Sequence, residues 1–84
     1  MTAIAAPGPS GPATVGFVAG KRVGSAVRRN RAKRRLREAA ARCHLKADTV
    51  YVLIADRDVG RVEFDRLVNW VRSATESESS EELR

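Results

Sequence analysis

Seven consecutive residues, Thr49-Val50-Tyr51-Val52-Leu53-Ile54-Ala55, are apolar or β-branched without a break. A strand with that pattern carries apolar side chains on both faces, so the run predicts a central strand covered on both sides. In a chain of 84 residues this is a severe constraint, because whatever flanks and covers the strand must come from short stretches before and after it. A domain this small buries only about 60% of its unfolded surface and is marginal alone. One small core must suffice, and a two-lobed enzyme is excluded.

The flanking segments supply the remaining elements. Thr14-Val15-Gly16-Phe17-Val18-Ala19-Gly20 puts Val15, Phe17 and Ala19 on one side and Val18 on the other, as in a strand buried on at least one face. Before it, residues 7–13 (PGPSGPA) exclude regular helix, and Thr2–Ala6 has the composition of a strand end. Residues 2–20 therefore predict a hairpin with a long loop. From Ala26 to Cys43 there is no Pro or Gly and helix formers dominate, with Ser25 as N-cap. Ala32, Leu36, Ala39, Ala40 and Cys43 fall within one arc of about 100°, which is the expected core face. Asp56–Gly60 is a connection. A second helix is expected over Arg61–Thr75, with Phe64, Leu67, Val68, Val71 and Ala74 as its apolar stripe and Trp70 at the edge. Residues 76–84, ESESSEELR, hold four acids in nine positions and predict a disordered acidic tail. The order is (β)βαβα, which implies an α/β or α+β sandwich of helices on a small sheet, and α+β is the class expected here.

Charge is distributed very unevenly. Residues 1–20 carry no charged side chain, residues 21–46 hold eleven basic residues against one acid, and the net charge of the whole chain is +6. Arg28, Arg29, Arg31, Lys33, Arg34 and Arg35 cannot all point inward, since burying unpaired charge is costly. They must face solvent or a polyanion, and clustered cations are rewarded by the release of condensed counterions from a phosphate backbone. Arginine suits phosphate better than lysine because its planar fork donates two hydrogen bonds at once. Asn30, set inside this basic wall, offers a donor and an acceptor to a ribose hydroxyl, a base edge or a metal-bound water. The implied partner is nucleic acid.

Other chemistry finds little support. Cys43 has no second cysteine to pair with, and Cys43 with His44 is too small a set for a zinc site. As helix neighbours the two point about 100° apart, which argues against a thiolate dyad. Gly16, Gly20 and Gly24 lack the GKS or GKT of a nucleotide-binding loop, and no small-molecule substrate is expected. No run approaches the roughly 18 apolar residues of a membrane span, and no secretory signal opens the chain; a cytoplasmic protein is expected. Membrane-surface binding would need bulkier residues than Ala32, Ala39 and Ala40 opposite the cations. DNA reading through a major groove would need more base readers than Asn30.

The ordered string Val15-Gly16-Phe17-Val18-Ala19-Gly20-Lys21-Arg22-Val23-Gly24-Ser25-Ala26-Val27 followed by Arg28-Arg29-Asn30-Arg31-Ala32-Lys33-Arg34-Arg35-Leu36-Arg37-Glu38 resembles the bacterial ribonuclease P protein subunit. That family's signature is a GF strand, a Lys/Arg pair, a glycine turn and an Arg-Asn-Arg sequence opening a basic helix. The resemblance spans residues 14–75 and implies a ribosomal protein S5 domain 2-like fold. It also implies an accessory role in an endoribonuclease whose catalyst is RNA, so that no catalytic residue is expected in this chain. The implied partners are ribonuclease P RNA and precursor tRNA, with magnesium serving the RNA-based holoenzyme rather than bound by the protein alone. It assigns RNA contact to Arg29, Asn30 and Arg31, and with them to Lys21, Arg22, Arg28, Lys33, Arg34, Arg35 and Arg37. Phe17 and Tyr51 are the candidates for stacking on the 5′ leader. Family members carry a helix and two strands before the GF strand. Residues 1–13 resemble only the end of the second strand and its loop, and a longer protein with an earlier start is the expectation, the alternative being a shortened version whose leader contacts are missing. The competing reading is a ribosome-associated protein that uses the same helix as structural glue.

Overall fold

In the computed structural model, which describes residues 1–82 and gives only the backbone of the last six, three strands and two helices form two layers. The strands are β1 (Thr2–Pro7), β2 (Thr14–Ala19) and β3 (Thr49–Ala55), and the helices are α1 (Ala26–Ala41) and α2 (Phe64–Glu82). Single 3-10 turns at Lys21–Val23 and Arg57–Gly60 precede the helices. The fold is α+β, the expected one of the two classes that the element order leaves open.

β3 is central, in the order β1-β3-β2. β2 and β3 run parallel, Phe17 opposite Leu53, with α1 as the crossover. β1 pairs antiparallel with the other edge of β3, Ile4 opposite Val52. The expected hairpin of residues 2–20 is therefore not formed: β3 inserts between its two halves. The physical reason lies in β3, whose backbone donors and acceptors on both edges require partners. The Pro/Gly loop spans the gap and is pinned to Asp48, whose carbonyl accepts from the Gly8 amide at 2.9 Å and whose carboxylate accepts from the Gly11 amide at 2.6 Å. Gly8 is required by closeness: a Cβ there would lie 2.6 Å from Val50 Cγ2.

Both helices lie on one face of the sheet, so β3 is not equally covered. Thr49, Tyr51, Leu53 and Ala55 are buried beneath the helices, while Val50, Val52 and Ile54 are half-buried on the open face beside the exposed Ile4 and Val18. The core joins Ala32, Leu36, Ala39 and Ala40 of α1 to Leu53, Val59, Leu67, Val68 and Val71. Cys43, expected on the same face of α1, lies beyond the helix end and is half-buried. The segment expected as a plain connection, Asp56–Gly60, contributes the fully buried Val59. α2 starts at Phe64 rather than Arg61 and continues to Glu82 rather than ending near Thr75. Extending a nucleated helix adds one hydrogen bond per residue fixed, and Glu is a good helix former. The rest of the expected acidic tail, residues 83 and 84, lies outside the described residues. No described helix is long and apolar enough to cross a membrane.

Candidate nucleic-acid interface

α1 is launched by a tight local device. Gly24 has φ 128°, a conformation that favours glycine, and a Cβ there would meet Arg28 Cδ at 2.9 Å. Ser25 then caps the helix, its hydroxyl accepting from the Arg28 amide at 3.4 Å. The 3-10 turn before the glycine buries Val23 and leaves Lys21 and Arg22 exposed. The sequence-predicted basic residues therefore start on the turn and continue along α1.

At about 100° per residue the helix sorts them. With Ala32, Leu36, Ala39 and Ala40 facing the sheet, Asn30 and Arg34 point most directly away from it, and Arg31, Arg28 and Arg37 lie to either side. All five are exposed, whereas Arg29 and Lys33 are half-buried. Val27, 77% exposed between them, is an apolar residue on the same surface that the charge pattern did not single out.

The two flanks are tied to the protein. Arg35 is half-buried, and its guanidinium donates to the Gly60 carbonyl at 3.1 Å and to the Val62 carbonyl. It bolts α1 to the segment leading into α2, so its place is structural, unlike that of Arg34 beside it. Arg37 lies over the Phe17 ring, 5.4 Å from its centroid, and Arg42 lies over Phe64 at 4.9 Å.

The two aromatic candidates lie on the helix-covered face of the sheet. Phe17 is half-buried against the core. Tyr51 is only 1% exposed, and its hydroxyl accepts from the Lys46 amide at 3.1 Å. The alternation of β3 turns Tyr51 inward with Leu53, and no base can reach its ring in this arrangement. Cys43 donates to the Ala39 carbonyl at 3.3 Å, and burial pushes its thiol pKa up, away from a reactive thiolate. His44 is exposed.

The donor set does not suit a divalent cation. α1 carries a single acid, Glu38, and among the described residues no three His, Cys, Asp or Glu side chains converge. Magnesium needs several oxygen ligands, and a surface of guanidinium groups repels it.

The family model described as Ribonuclease P matches residues 1–77. The ribonuclease P protein component of Caulobacter vibrioides is 49% identical over 63 residues, covering 71% of this chain and 42% of that protein. The same component of Symbiobacterium thermophilum is 71% identical over 28 residues, 33% of this chain and 24% of the relative. That of Paramagnetospirillum magneticum is 49% identical over 47 residues, 52% and 35% respectively. The chain thus spans less than half the length of these relatives. No solved structure matches it significantly.

Proposed function

The chain belongs to the ribonuclease P family, and we propose that it is the RNA-binding part of the protein subunit of the ribonuclease P ribonucleoprotein, acting in the cytoplasm. Its partner is the ribonuclease P RNA, and the assembled particle removes the 5′ leader from precursor tRNA. The observation that carries this reading is the outward face of α1, where Asn30, Arg31 and Arg34 stand exposed inside the segment matched by the family. An S5 domain 2-like arrangement of the sheet and helices is part of the same reading.

The protein works by positioning. Exposed guanidinium groups offer paired donors to phosphate oxygens, and Asn30 adds a donor and an acceptor at the centre of the face. Arg29, Lys33, Arg37, Lys21 and Arg22 extend the contact at its margins. Arg35 contributes by holding α1 in place. In this reading phosphodiester hydrolysis and the magnesium that serves it belong to the RNA-based holoenzyme. Neutralising part of the backbone charge on the RNA lowers the magnesium needed to fold and use it.

The test mixes the purified chain with ribonuclease P RNA and precursor tRNA at low magnesium and compares cleavage with RNA alone. Stimulated cleavage is the expected result. RNA binding in this reading weakens steeply with salt, with a log–log slope on the order of −4 to −5 for about six phosphate contacts. Cleavage at the RNA-alone level together with a slope near zero refutes the proposal.

A further inference from the structure

The 3-10 turn Arg57–Gly60 and the residue after it bring two further arginines against the start of α1. A cavity of about 230 Å³ opens there, lined by Val23, Arg28, Arg31, Arg57, Gly60 and Arg61. Four arginines from two segments far apart in sequence line it, and no acidic residue does. The acids of the same turn, Asp56 and Asp58, do not line it. Asp56 accepts from the N-terminal amine at 2.5 Å and from the Asp58 amide at 3.0 Å, and both Asp56 and Asp58 line other cavities.

We propose that this cavity is a pocket for a tetrahedral phosphate oxyanion, filled in function by one backbone phosphate of the bound RNA. The inference rests on the RNA-binding reading for its occupant and on the arginine geometry for its chemistry. Like charges gathered without a counter-ion repel one another, and an anion at their centre reverses that term. The cavity is smaller than the ~300–1,000 Å³ of pockets that enclose whole small-molecule ligands, so it suits a phosphate group and not a complete nucleotide. Forked donors approaching from several directions match an anion with several oxygens, whereas a carboxylate fills a single fork. Arg57 is also pre-positioned: its Nε donates to the Arg22 carbonyl at 3.0 Å, which leaves its terminal amino groups for a ligand. The pocket thus links the Lys21–Val23 turn, the first two turns of α1 and the Arg57–Arg61 segment, and it extends the interface beyond the basic helix.

Two-dimensional NMR of the whole chain, titrated with inorganic phosphate in chloride buffer of constant ionic strength, tests the pocket without RNA. The side-chain Nε–H signals of Arg28, Arg31, Arg57 and Arg61 and the amides of Val23 and Gly60 are expected to move together. Acetate should bind much more weakly than phosphate, and Arg61→Gln should weaken phosphate binding about tenfold. Arg66→Gln, an exposed change on α2, serves as the control and should change nothing. In the second arm, Arg61→Gln should reduce the salt slope of ribonuclease P RNA binding by about 1. Phosphate shifts centred elsewhere, or equal binding of acetate, overturn the pocket. Phosphate binding in the pocket with an unchanged RNA slope overturns the RNA backbone as its occupant. Failure of the unaltered chain to bind the RNA at all refutes the function proposed above, and the phosphate titration still decides the pocket.

Discussion

Arg34 and Arg35 are adjacent and chemically identical, yet the structure gives them opposite tasks, and separating them is a sharp test. Arg35→Met keeps the aliphatic stem and removes the guanidinium that donates to the Gly60 and Val62 carbonyls. Hydrogen bonds from a charged donor are worth about 1.5–3 kcal/mol each, and at a half-buried site water replaces part of that, so a loss of about 2–3 kcal/mol is expected for the pair. Against a total stability of about 5–15 kcal/mol this is a large fraction. Each kcal/mol moves the midpoint of a domain this size by about 4–8 °C, which puts the drop in Tm near 10–20 °C. Arg34→Met should stay within about 0.5 kcal/mol of the parent, because Arg34 is exposed, while its RNA affinity and salt slope both fall. Circular dichroism melts in phosphate-free buffer measure the first effect, and RNA binding across a salt series, at a temperature where both variants are folded, measures the second. An Arg35→Met protein that melts within a degree or two of the parent refutes the structural assignment, and equal losses of RNA affinity in the two folded variants refute the division of labour.

Three other outcomes follow from single contacts. Asn30→Ala should weaken RNA binding by about 1–3 kcal/mol if its amide bonds are made in the complex, with an unchanged melt, since Asn30 is exposed; an unaltered dissociation constant makes it a solvated residue. Leu36→Ala removes a fully buried side chain and should cost about 2–5 kcal/mol, read as loss of the cooperative transition or a large fall in denaturation midpoint. Asp56 has its pKa lowered first by the hydrogen bond from the N-terminal amine, against a partial burial that raises it, and then by the charge of that amine and the backbone amides of Asp58 and Val59. A carboxyl with a depressed folded pKa contributes stability that is present above its ordinary value and lost as pH falls through the folded one. Asp56→Asn should therefore lower the melting temperature at neutral pH and make no difference in strong acid, and a deficit that persists in acid points to a cause other than this charge.

Much of this architecture is legible in the residues, and the parts that are not share one cause. The unbroken apolar run marks β3 as central because only a fully flanked strand tolerates it, and the 3.6-residue period fixes the buried face of α1 through Ala32, Leu36, Ala39 and Ala40. The pairing of β1 is hidden, because residues 2–6 are equally able to pair with β2 or β3 and the choice depends on which edge is vacant. The open face of the sheet is hidden too, since composition does not say on which side two helices will settle. Arg34 and Arg35 look alike on a helical projection. What separates them is a pair of carbonyls 25 and 27 residues later in the chain, and nothing local announces their return. Arg57 and Arg61 escape notice for the same reason: they stand in a connection with as many acids nearby, and only folding turns those acids away.

The choice of small residues on the inner face of α1 explains how one helix can be both anchor and interface. Ala32, Ala39 and Ala40 project little, so the helix axis lies close to its neighbours, and long side chains on the flanks reach across to Phe17, Phe64 and the carbonyls at Gly60 and Val62. Those flanking arginines gain protein partners and stiffen the helix. The remaining ones, pointing away from the sheet, have no such reach and keep their donors for an anion. A bulkier inner face would raise α1 and release the flank arginines from their acceptors, enlarging the basic patch while loosening its support. The uncompensated charge that results destabilises a small core through self-repulsion, and binding of a polyanion offsets it: at a hundredfold excess over the dissociation constant, linkage adds about 2.7 kcal/mol to the folded state. In the proposed function, the charge that recruits RNA is thus also a charge that works against the isolated fold.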